Sequence, residues 1–99
     1  MSHWSTSESD FHRALAAKLS DVRTKSQTSQ GTLASELGVD QAAVSRVESG
    51  RRRLSVGETF AWLEALGFDA DSSSALLRDL WVQYGTRPPG FWKEPIGDG

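Results

Sequence analysis

The sequence predicts an all-α protein of five helices, and three observations carry that expectation. Apolar residues recur at three- and four-residue intervals from Phe11 to Tyr84, the period that gathers side chains on one helix face. No stretch alternates apolar and polar residues as a half-buried strand would. Between Gln30 and Ser49, two short apolar stripes are separated only by Gly38-Val39-Asp40, a helix stop followed at once by a helix start.

Residues 1–10 read as a flexible Ser/Thr/Glu leader, polar rather than signal-like, in which Ser5 or Ser9 can open a helix. The first helix follows, with Phe11, Leu15, Leu19 and Val22 on one face, and ends near Lys25 in a polar run. The second opens at Gln30 and carries Leu33, Ala34 and Leu37 inward. Gly38 stops it, because glycine tolerates the left-handed conformation of a helix end. Asp40 caps the third helix, with Val39 and Val44 at the staple positions. Ala43, Val44 and Val47 form its inner stripe, leaving Gln41, Ala42, Ser45, Arg46 and Ser49 outside. The small Ala34 allows two such short helices to cross closely.

Ser55 and Glu58 form a capping box for the fourth helix, which is expected to carry Val56, Phe60, Leu63 and Leu66 inward and to close at Gly67. The fifth is expected to be capped by Asp71 or Ser72 and to run to Tyr84 with a Leu76, Leu77, Leu80, Trp81 and Tyr84 stripe. Beyond it, Pro88, Pro89 and Pro95 forbid a regular helix, yet the tail keeps Phe91, Trp92 and Ile96. The chain thus divides into a leader (1–10), a helical domain (11–68) and a C-terminal helix with a Pro/Gly-rich tail (69–99).

A length of 99 residues, 37% of them apolar, suits one small domain with a modest core. The absence of cysteine removes disulfides, thiolate metal sites and thiol nucleophiles. No apolar run approaches the roughly 20 residues of a membrane span. His3 and His12 lack metal-spaced partners, and there is no acid/base pair, metal cluster or phosphate loop, so no enzyme, metal or cofactor is expected. The net charge of −2 hides an uneven distribution. Residues 11–66 carry eight Lys/Arg against six Asp/Glu, while both flanks are acidic.

The run Ser29-Gln30, Leu33-Ala34, Leu37-Gly38-Val39, Val44-Ser45-Arg46-Val47-Glu48 and Gly50-Arg51 resembles the Cro-like or XRE phage-repressor type of helix-turn-helix, without insertion. The likeness covers Leu19 to Phe68, about half of the chain. It implies a repressor-like fold whose third helix enters the major groove of double-stranded DNA. It also implies base contacts at Gln41, Ala42 and Arg46, a phosphate contact at Gln30, and an ion pair joining Arg23 to Glu48. The chemistry is suited to this: Gln can bond adenine at two points, Arg can bond guanine at two, and an Ala methyl can meet a thymine methyl. Ser45 shares the outer face, and Ser49, Arg51, Arg52 and Arg53 follow as phosphate-contacting candidates. Thr28 stands where the family usually has an apolar residue, and Leu54 where it commonly has proline.

The function so implied is a sequence-specific transcriptional regulator in the cytoplasm, paired as a homodimer on an operator with half-sites roughly 34 Å apart. Leu77, Trp81, Tyr84, Phe91 and Trp92 are the candidate dimer or protein-partner contacts, with Trp92 folding back over helices one and five as the competing arrangement. The alternative reading is an antitoxin-like or bridging interaction module that keeps the fold without reading DNA.

Overall fold

The computed structural model describes residues 6–85, with side chains from Asp10 onward. Five helices follow in order: α1 (Thr6–Lys25), α2 (Gln30–Leu37), α3 (Gln41–Glu48), α4 (Val56–Ala65) and α5 (Ala70–Tyr84). No strand occurs among the described residues. The five-helix expectation therefore holds. α1 starts at Thr6, inside the stretch read as leader.

The helix boundaries follow from local chemistry. Ser29 accepts from the Thr32 backbone N–H to start α2, Asp40 accepts from Ala43 to start α3, and Ser55 exchanges reciprocal bonds with Glu58 to start α4. α5 departs from expectation at its start. Its cap is Asp69, which accepts from the Ser72 backbone at 2.8 Å while the Ser72 hydroxyl accepts from the Asp69 backbone at 3.0 Å. Ser72 is thus the returning partner of the box rather than its cap, and Asp71 lies within the first turn.

The core is a single cluster contributed by every helix. Leu15, Leu19 and Val22 of α1 meet Leu33 and Ala34 of α2, Val44 and Val47 of α3, Trp62 and Leu63 of α4, and Leu80 of α5. α2 packs on α3 and α4, α1 on α3 and α5, and α4 on α5, so α1 braces the molecule from one side. Trp62 is the largest side chain fully enclosed. Leu54 packs against this core where the family's usual residue is proline.

Val56 corrects the sequence reading, being 74% exposed rather than inward. It occupies the first turn of α4, and the buried face is carried instead by Thr59, Trp62 and Leu63. Val56 sits on the rim of an apolar groove of about 480 Å³ between α1, α4 and α5, lined also by Phe11, Phe60, Leu77 and Trp81.

Candidate nucleic-acid interface

The corner between α2 and α3 determines what α3 shows to its surroundings. Gly38 adopts φ 73° and ψ 29°, and its N–H reaches back to the Ala34 and Ser35 carbonyls. Val39 N–H bonds the Ala34 carbonyl at 3.0 Å, and the chain re-enters a helix at Gln41. The close approach requires a small residue at 34, which is 3% exposed. α3 is held down by Val44 and Val47, 1% and 3% exposed, so the opposite face must point outward. On that face Gln41, Ala42, Arg46 and Ser49 are exposed and Ser45 is half-buried.

Arg46 makes no side-chain hydrogen bond or ion pair with another described residue, so its guanidinium is available to an incoming acceptor. Its carbonyl does have partners. After Gly50, at φ 81°, the chain folds back so that the Arg51 and Arg52 backbone N–H groups meet the Arg46 carbonyl at 2.8 and 3.1 Å. This turn fixes the arginine cluster beside the end of α3.

The three arginines are not equivalent. Arg51 Nε donates to Ser49 Oγ at 3.1 Å, and Arg52 pairs with Glu58 at 3.2 Å. Arg53 is exposed, with no side-chain bond to another described residue. Glu58 is therefore both a helix cap and a counter-charge to Arg52. Its carboxyl lies below the usual range, chiefly through the Ser55 backbone hydrogen bond.

Beneath this surface, Arg23 of α1 grips Glu48 of α3 at two points, Nε to Oε2 at 2.6 Å and Nη2 to Oε1 at 3.0 Å. Arg23 Nη1 also donates to the Thr28 carbonyl at 2.8 Å, tying down the loop before α2. Thr28 thus contributes its backbone where the family usually has an apolar side chain. The two charged side chains are 15% and 7% exposed. Burial pushes the Glu48 carboxyl up, but hydrogen bonds from Arg23 and Gln30, the Arg23 charge and a bond from Ser20 together hold it below the ordinary range. The Glu48 hydrogen bond likewise raises Arg23.

Gln30 does not stand alone at the start of α2. Its Nε2 donates to Glu48 Oε1 at 2.9 Å, and its Oε1 accepts from Gln41 Nε2 at 3.4 Å. An expected phosphate contact and an expected base contact are thus linked to the ion pair. Sequence reasoning missed these bonds. The available signal was that Gln30 and Gln41 are each the first residue of consecutive helices meeting at a tight corner.

Residues 14–76 match the profile of a family described as a helix-turn-helix domain. The chain belongs to the helix-turn-helix domain family. This helix-turn-helix family lies within the XRE-like group, and its match spans all of α2, α3 and α4. No curated protein matches the chain. Among the described residues, no group of three or more His, Cys, Asp or Glu is placed to hold a metal ion. No described helix is long and apolar enough to cross a membrane.

The candidate partner contacts lie away from the helix-turn-helix. Leu77 and Trp81 are half-buried and line the apolar groove, and Tyr84 is 40% exposed. The Trp81 ring meets Phe11 edge-on at 5.3 Å, joining α5 to α1. Phe91 and Trp92 lie outside the described residues.

Proposed function

We propose that the chain is a sequence-specific DNA-binding transcriptional regulator that acts as a homodimer on an operator of two related half-sites. One observation carries this reading: α3 is anchored by Val44 and Val47 while Gln41, Ala42 and the unengaged Arg46 share its exposed face. In a helix-turn-helix, that is the face a major groove meets. Arg51 and Arg53, set beside the end of α3, are suited to the flanking phosphates. Gln30 and Ser49 complete the phosphate-facing set, and Ser45 supplements the base-facing one.

The dimer is expected through α5 and the segment after it, because a single module of this size makes few contacts. The Leu77 and Trp81 groove supports a further apolar contact on that side. Light scattering over a concentration series, on the full chain and on a chain ending at Gly85, tests it. Loss of the dimer on truncation supports the tail as the contact, and an unchanged dimer excludes it.

Electrophoretic titration tests the DNA reading. Arg46→Ala is expected to weaken a selected site at particular bases, with random DNA little affected. An interaction module that keeps the fold for another purpose would show the same weak, sequence-indifferent binding before and after the substitution.

A further inference from the structure

The apolar groove between α1, α4 and α5 holds about 480 Å³, within the range of roughly 300–1,000 Å³ that bound groups occupy. Two of its polar lining residues are engaged elsewhere: the Thr59 hydroxyl donates to the Ser55 carbonyl at 2.8 Å, and Arg78 pairs with Asp79 at 3.3 Å. What the groove offers an occupant is apolar contact with Phe11, Val56, Phe60, Leu77 and Trp81. The chain itself leaves α5 against this wall. Gly85 N–H bonds the Trp81 carbonyl at 2.9 Å, and the Gly85 backbone runs extended (φ −88°, ψ 118°) across the Trp81 indole. The approach is so close that a Cβ at position 85 would overlap the ring. The same indole lines the groove and meets Phe11 edge-on, so the segment that follows sets out from the groove's edge.

We infer that this groove is a docking site for the chain's own C-terminal segment, with Phe91 and Trp92 seated against Phe11, Val56, Leu77 and Trp81. Phe91 lies six positions beyond Gly85, an extended reach of about 20 Å, whereas α5 advances only about 10 Å from Ser74 to Trp81. That leaves chain enough to reverse, and Pro88-Pro89-Gly90 supplies turn-forming residues just before the aromatic pair. The two aromatic side chains carry large apolar surfaces of the same character as the groove's lining. A segment tethered at the groove's edge is also present at a far higher local concentration than a separate molecule. Seated there, it leaves the exposed face of α3 open and adds to the α5 face offered to a second copy. The inference is therefore compatible with the proposed dimer and independent of the DNA reading.

Thermal unfolding of the full chain tests this through Val56→Asp, through Phe91→Ser with Trp92→Ser, and through all three together. Val56 is 74% exposed on the rim, so with an empty groove an aspartate there faces water at the positive end of α4 and leaves the midpoint unchanged or raises it. With the tail seated, Val56→Asp sets a charge against the aromatic pair and is expected to lower the midpoint by roughly 4–8 °C, and the tail substitutions by a similar amount. The combined variant is expected to fall no further than the worse of the two, since both remove one contact. A neutral or stabilising Val56→Asp, an unchanged midpoint in the tail variant, or additive losses would each overturn the inference. An equimolar mixture of isotope-labelled and unlabelled native chain then identifies whose tail is seated. Magnetisation transfer between Trp92 and Leu77 is expected within labelled molecules, and transfer found only between labelled and unlabelled ones would overturn the in-chain occupant in favour of a second copy's tail.

Discussion

Arg23 and Glu48, 25 residues apart in sequence, close a two-point ion pair between the bracing helix and the end of the exposed one, with Nε only 2.6 Å from Oε2. Both side chains are largely shielded from water. Removing either leaves the other charge without its partner in a poorly solvated place. Arg23→Ala and Glu48→Ala are each expected to lose about 3 kcal/mol of unfolding free energy in urea titrations. Breaking the exposed Lys25–Asp21 pair by Lys25→Ala should cost less than about 1 kcal/mol. Replacing both buried partners together, Arg23→Met with Glu48→Leu, should restore most of the lost stability while removing the anchor for Gln30.

The same pair gives the protein an acid-sensitive element. The folded Glu48 carboxyl lies below its ordinary value of 4.5, so it adds stability that is fully present above that value. This contribution is lost as pH falls through the lower folded value. The capping carboxyls Glu58 and Asp69 are held low as well, chiefly by the backbone hydrogen bonds from Ser55 and Ser72, and act in the same sense. Thermal midpoints are therefore expected to fall as pH drops from about 5, and Glu48→Gln should flatten that decline. An equally steep acid limb in Glu48→Gln would exclude Glu48 as a contributor.

The basic residues should separate by salt dependence. Arg46→Ala is expected to cost about 1–3 kcal/mol on a selected site and to relax the choice of base at one position. Arg51→Ala and Arg53→Ala should weaken all sequences alike and lower the salt slope by about one each. Arg52→Ala should do less, because Glu58 already holds that guanidinium. Binding isotherms at several salt concentrations supply all four comparisons.

Gly38 gives a clean test of the corner. A Cβ there would meet nothing within 4 Å, so a substitution is disfavoured by the backbone at φ 73° and not by crowding. Gly38→Ala is expected to lower stability by about 1–2 kcal/mol in chemical denaturation. Asn, which tolerates this conformation better, should cost less than Ala.

Much of this arrangement was legible in the sequence because it is local. The Leu33, Ala34, Val44 and Val47 stripes, the Gly38 stop and the Asp40 start are each decided within one helical turn. What escaped depends on contacts over a longer range. Val56 has an apolar side chain at the right period, yet it sits in the first turn of α4 on the open rim of a groove and stays exposed. Asp69 caps α5 through reciprocal bonds with Ser72, whereas composition alone pointed to Asp71 or Ser72 as the cap. The Gln30 bonds to Glu48 and Gln41 need the closed corner before either partner can be named.

Selection of bound duplexes from random DNA, with the native chain and Arg46→Ala side by side, tests the central claim most directly. The native chain should enrich a site with two related halves about 34 Å apart, centre to centre, and Arg46→Ala should lose preference at one position in each half. Recovery of sequences indistinguishable from the starting pool by the native chain would contradict the account.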